Sequence, residues 1–226
     1  MLNKIKGKLI VSVQALEDEP LHHPFIMAKM ALAAKQGGAV AIRSNSKEDI
    51  IAIKKEVDLP IIGLVKKNYH DSDVFITPTK KEVLSLIDSG CDMIALDSTQ
   101  RKRPNGETLH ELITFIHQHQ RLAMADISTL EEALYAEQLG FDCVSTTLSG
   151  YTPYSPQQED PDFKLIENCI HSLKIPVIAE GRISEVWHLE RILAMKPYAV
   201  VIGSAITRPQ MITKKFVNIF EKYGTY

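Results

Sequence analysis

Lys66, Glu180, Arg43 and Asp126 are the residues of this sequence best suited to proton chemistry, because each closes a short apolar run. PIIGLVK ends at Lys66, PVIAE at Glu180, AVAIR at Arg43 and LAMAD at Asp126. A lysine aimed into a partly dry mouth beside other cations loses proton affinity, since desolvation and like charge both disfavour the ammonium. Such an amine can serve as a general base, or as a nucleophile that forms a Schiff base. Glu180 could shuttle a proton between substrate oxygens, with Arg43 stabilising charge that builds nearby. Lys67 should face the other way by strand alternation.

Other run ends add binding groups. LIVSVQ ends at Gln14, MIALD at Asp97, CVSTT at Thr147 and AVVIGS at Gly203-Ser204. Of the two aspartates, one could orient Lys66 or hold a hydroxyl while the other caps a helix. Asp126 is preferred for the ligand, because Asp97 has Ser98 and Thr99 as competing local partners. Glu180 is followed by Gly181-Arg182, and a glycine there lets the backbone approach a ligand closely. Glycine turns after the seventh and eighth runs, with Arg208 before the last helix, are the parts of an anion cup. Arg208 would add a bidentate donor.

Eight such runs must be brought to one place, and a closed parallel barrel does so. In a (β/α)₈ TIM barrel every strand ends on the catalytic face. Helix-length segments separate the runs, and Ser46–Asp49, Thr79–Glu82 and Ser128–Glu131 each set a hydroxyl three residues before a carboxylate. That spacing marks a capping box at a helix start. The segments QGGAVAI, SGCDMIAL, LGFDCVST and MKPYAVVI recur at intervals of roughly 50 residues, which suits a repeating two-βα unit. The eight strands leave nothing for a second domain, so residues 1–226 are expected to form one barrel. An open doubly wound sheet is the rival, but no GxGxxG loop follows the first run. Two longer loops, Asn68–Pro78 and Leu148–Pro161, read as functional, the second as a lid.

Composition narrows the function classes. The chain has 226 residues, 45% of them hydrophobic and 24% charged, with a net charge of −2. No global field recruits nucleic acid, and Arg101-Lys102-Arg103 is too short a cluster to change that. No apolar span of roughly 20 residues is present, so no membrane helix is expected. The start, Met1 to Gly7, lacks a signal-peptide pattern and reads as the approach to the first strand. Three widely spaced cysteines without CxxC argue against disulfides or zinc, and cytoplasm is the default. No strand ends on histidine, and His117 and His119 do not share a helix face. A metal-free, cofactor-free site is expected.

The segments LIVSVQALEDEPL, GAVAIR, PIIGLVKK, CDMIALDSTQRKRPNGE, LAMADIST, TTLSGYT, PVIAEGRI and VVIGSAITRP together resemble the N-acylmannosamine-6-phosphate 2-epimerases of bacterial sialic acid catabolism. They span Leu9 to Pro209. The resemblance implies that Lys66 moves the C2 proton and Glu180 handles the oxygen chemistry. It implies that Gln14, Arg43 and Asp126 hold the sugar, and that Gly203, Ser204 and Arg208 hold phosphate, beside Gly181 and Arg182.

Two other functions stay open on the residues alone. A class I-type aldolase would use Lys66 as Schiff-base nucleophile, and a phosphosugar sensor would lack a proton-transfer pair. The last helix, Met211 to Phe220, is unusually apolar for an outer ring, which suggests a homodimer through it.

Overall fold

The computed structural model describes residues 1–224 and closes all eight runs into one parallel barrel. The chain runs α1 (Leu2–Ile5), β1 (Leu9–Val13), α2 (Pro24–Gln36), β2 (Ala41–Asn45), α3 (Lys47–Glu56) and β3 (Ile61–Leu64). It continues α4 (Lys80–Ser89), β4 (Met93–Asp97), α5 (Leu109–Gln118), β5 (Leu122–Asp126), α6 (Leu130–Leu139) and β6 (Cys143–Ser145). It ends α7 (Phe163–Ser172), β7 (Val177–Ala179), α8 (Val186–Ala194), β8 (Ala199–Ile202), α9 (Ser204–Thr207) and α10 (Pro209–Tyr223). Strand order follows chain order, and β8 pairs with β1 to close the ring.

Alternation along the strands splits the core in two. Ile10, Ala41, Ile62, Leu64, Met93, Ala95, Met124, Cys143, Ile178 and Val201 fill the barrel interior. Their neighbours Val11, Ile42, Ile61, Ile94, Ala123 and Val144 point outward and pack under the helices. Gly63 is an outward position where a Cβ would lie 2.9 Å from both Cys91 Sγ and Ile50 Cδ1. Only hydrogen fits there. The short helix α1, which the sequence reading passed over, sends Ile5 into the interior cluster and plugs the barrel from below.

Helix starts follow the cap chemistry. Thr79 and Glu82 form a reciprocal capping box on α4, and Ser46 accepts from the Asp49 N–H on α3. On α6 the box is Thr129–Glu132, one residue beyond the expected Ser128–Glu131. Ser128 instead donates through its own N–H and hydroxyl to Glu132 Oε2, at 2.7 and 2.8 Å. The positive-φ positions of the repeat are filled by Gly38, Gly90, Gly140 and, after α8, by Lys196.

Candidate active site

The interior parity carries polar groups upward wherever a strand reaches the C-terminal mouth. Above Ala41 comes Arg43, above Met124 comes Asp126, above Cys143 comes Ser145, and Glu180 follows Ile178. β3 itself stops at Leu64, two residues short of the expected Lys66. There the chain leaves β4 and pairs antiparallel with its own return, Lys66 opposite Ile76. The N–H of Lys67 donates to Phe75 O, that of Thr77 to Val65 O, and that of Lys66 to Asn45 Oδ1 at 2.8 Å. The lysine therefore sits on a hairpin whose base is fastened to β2.

Lys66 feels the mouth strongly. Burial and the charges of Arg208 and Arg43 lower its pKa from 10.5 to about 8, against the opposing pull of Glu180 and Glu19. The amine forms no ion pair within 4.0 Å among the described residues. With β3 and β7 four strands apart in the ring of eight, Lys66 and Glu180 rise from opposite walls.

Beneath them lies a buried charge network. Arg43 is 1% exposed and Asp126 fully buried. Arg43 Nη1 and Nη2 donate to Asp126 Oδ1 and Oδ2 at 3.0 and 2.6 Å, and Nη1 lies 3.1 Å from Glu180 Oε2. Burial opposes the Arg43 charge, but the two carboxylates outweigh it and hold its pKa above the ordinary value. Burial pushes the Asp126 carboxyl up to about 6, with Glu180 adding to the rise and Arg43 resisting it. Glu180 is the member that reaches the mouth, with 12% of its side chain exposed. As placed, Arg43 and Asp126 offer almost no surface to a sugar and would act on one through Glu180.

The remaining expected residues surround this floor. Gln14 donates to Ser12 Oγ at 2.7 Å and leaves its Oε1 buried without a donor. Gly181 and Arg182 both take positive φ, +107° and +56°. The Arg182 guanidinium lies over Gly150, with Nη2 3.4 Å from Ser149 Oγ. Gly203 abuts Ser12 so closely that a Cβ would stand 3.2 Å from that side chain, and Ser204 opens α9. Arg208 touches Ser204 Oγ at 3.3 Å and is held by Glu19 Oε2 at 2.8 Å. Asp97 stays out of this group, taken by Thr99 and by Arg101 at 2.7 Å.

Several contributors had no specific role in the sequence reading. Thr147 closed a run there and was counted only as a general binding group. Its Oγ1 lies 2.9 Å from Asp126 Oδ1, from Glu180 Oε2 and from Ser145 Oγ. Ser145 ends β6 and Thr147 lies in the 3₁₀ turn that follows, so strand alternation signals the inward turn of Ser145 but not that of Thr147. Glu19 sits in a polar stretch without periodicity, whereas Asn45 ends β2 on the parity of Ala41 and Arg43 but was passed over as a polar residue beyond the apolar run. The Leu148–Pro161 loop is laced to the start of α6 by Thr152–Ser128 at 3.1 Å and Tyr154–Glu132 at 2.7 Å. Two clefts of about 340 and 350 Å³ open among these outer loops around Arg101, apart from the mouth.

A closed parallel barrel whose mouth holds an amine and a carboxyl on opposite walls, with glycine turns and an arginine after β7 and β8, has the build of a (β/α)₈ enzyme. Comparison with known proteins places it more narrowly. A family model described as "Putative N-acetylmannosamine-6-phosphate epimerase" matches residues 27–222, and the chain belongs to that family. It is 59% identical over 221 residues to a protein of that name, numbered as a 2-epimerase, from Clostridium perfringens SM101, covering 98% of this chain and 100% of the relative. The counterpart in Clostridioides difficile 630 is 58% identical, covering 98% and 99%. A solved structure of the N-acetylmannosamine-6-phosphate 2-epimerase from Clostridium perfringens superposes with a TM-score of 0.96 at 59% identity, covering 97% of this chain and 96% of that one.

Proposed function

We propose that this chain interconverts N-acetylmannosamine 6-phosphate and its C2 epimer, N-acetylglucosamine 6-phosphate, without a metal or cofactor. The observation that carries this reading is an amine with a pKa near 8 facing a carboxyl across one mouth. The C2 proton of a 2-acetamido aldose is acidified only in the open-chain aldehyde, so the ring must open first. Glu180 moves protons at the ring and anomeric oxygens, and Lys66 exchanges the C2 proton. Gln14 offers its unpaired Oε1 to a sugar hydroxyl, while Arg43 and Asp126 set the charge and position of Glu180. The 6-phosphate lies on the turns at Gly181-Arg182 and Gly203-Ser204, with Arg208 as its cation.

The test is incubation with N-acetylmannosamine 6-phosphate in D₂O, followed by NMR. The expected result is the epimer carrying deuterium at C2. Glu180→Ala should keep C2 exchange with a pre-opened analogue, whereas Lys66→Ala should not. Wild-type exchange in the lysine variant would overturn the assignment of the carbon base.

Two further parts of the reading concern setting. The enzyme works in the cytoplasm; among the described residues no helix is long and apolar enough to cross a membrane. Its net charge of −2 gives nucleic acid no footing. It pairs into a homodimer through α10, where Met211, Phe216, Val217 and Ile219 are exposed and Phe220 is 74% exposed. Sedimentation of wild type against Phe220→Glu would read the dimer directly.

A further inference from the structure

The hydroxyl of Thr147 has one hydrogen and two carboxylate oxygens at equal distance. Asp126 Oδ1 and Glu180 Oε2 each lie 2.9 Å from Thr147 Oγ1. Whichever oxygen receives the hydrogen, the other meets a lone pair at hydrogen-bond distance. Ser145 does not relieve this, because its single hydrogen goes to Glu180 Oε2 at 3.0 Å or to Thr147 at 2.9 Å. Arg43 does not relieve it either, since it donates to both carboxylates but supplies nothing between them and Thr147. One further proton on the carboxyl pair satisfies both contacts between Thr147 and the carboxylates. The arrangement is then Asp126⁻···H–O(Thr147)···H–Glu180, or its mirror with the carboxyl hydrogen on Asp126.

We infer that Thr147 is a positioning residue that relays a proton between Glu180 and Asp126, and that the working form of the pair holds one proton. The inference rests on the role given to Glu180 above. When Glu180 takes a proton at Oε1 from a sugar hydroxyl, its Oε2 hydrogen passes to Thr147, and the Thr147 hydrogen passes to Asp126 Oδ1. When Oε1 returns its proton to a sugar oxygen, the same hydrogens move back. Each O–H bond broken is matched by one formed, and the negative charge passes from Asp126 to the sugar oxygen and back. Two carboxyls in one site that share a proton titrate as a pair. The rise of Asp126 to about 6 under burial agrees with this. The charged and titratable groups around the pair are Arg43 from β2, Asp97 on neighbouring β4, Cys143 below on β6, Lys66 from the hairpin and Arg208 beyond β8.

The relay makes a specific pH profile. Turnover requires a singly protonated pair and a neutral Lys66. With titrations near 6 and near 8, that species is a constant minor fraction between the two pH values. Wild-type kcat/KM should therefore be flat from pH 6 to 8 and fall above it. Thr147→Val cuts the relay, so its kcat should drop about 10²-fold with KM little changed, and its residual activity should climb through pH 8. Thr147→Ser should restore both the rate and the plateau. A Val variant with wild-type kcat and plateau would overturn the relay.

Infrared titration reads the shared proton without turnover, in an Asp49→Asn background that removes the other buried aspartate raised to about 6. A protonated-carboxyl band at pH 6 that is displaced by Thr147→Val supports the relay, and absence of any such band overturns it. Failure of the C2 exchange experiment would instead remove the epimerase reading while leaving this band to be read.

Discussion

Arg43 on β2 and Asp126 on β5 form a two-pronged ion pair inside the barrel, 83 residues apart in sequence, and both are sealed from solvent. A pair of this kind contributes less than it costs to break. Arg43→Met would leave two carboxylates facing each other in the interior. The variant should lose about 3–5 kcal/mol in urea denaturation at pH 7. The loss should shrink as pH falls toward 5, because protonation neutralises the stranded carboxyls.

Lys66 carries the opposite sign of linkage. Its folded pKa of about 8 lies below the ordinary 10.5, so the folded chain bears a penalty for the ammonium. The penalty is complete below pH 8 and is relieved as pH rises from there to 10.5. Lys66→Met should raise stability at pH 7 by about 1–3 kcal/mol, and the gain should vanish above pH 10.5. Melting curves across that range check it.

Arg208 should matter for the phosphate alone. Arg208→Ala should raise KM for the phosphosugar by tenfold or more, in keeping with about 1.5–3 kcal/mol for a charge-assisted contact. The unphosphorylated sugar should be handled alike by variant and wild type. Glu19→Gln, which loosens the grip on Arg208, should show a smaller rise. An unchanged KM in the alanine variant would put the phosphate elsewhere.

Gly150 is a backbone position that sets a side chain. Its φ is +82°, and a Cβ there would lie 1.7 Å from Arg182 Nη1. Gly150→Ala must displace the guanidinium and adopt a strained backbone, at about 1–2 kcal/mol for the latter. A lower melting temperature and a raised KM together are expected, and a wild-type KM would detach Arg182 from the site.

Much of this architecture was legible because parity and caps are local properties. Alternation along eight runs places Arg43, Asp126 and Glu180 inside, and the capping residues mark where α3 and α4 begin. What escaped was set by tertiary partners. Nothing in PIIGLVKK tells that β3 changes partner after Leu64, since the antiparallel return at Phe75–Thr77 is a contact made across a loop. The depth of Arg43 was equally hidden: alternation gives a side chain's face but not what covers it. Thr147 was visible as a run end, yet its role depends on two carboxylates from other strands.

The hairpin at Lys66 separates the two chemistries in a way that bears on how such a barrel could be rewritten. The carboxyls belong to the wall, and their spacing follows from strand register. The amine belongs to a bracket of about a dozen residues with its own internal ladder, strapped to β2 through Asn45 and to β4 through the Asp97 N–H to Ile76 O. A designer could exchange that bracket as a cassette, giving the site a different base at a different height. The sheet, the ion pair and the phosphate turns would remain as cast.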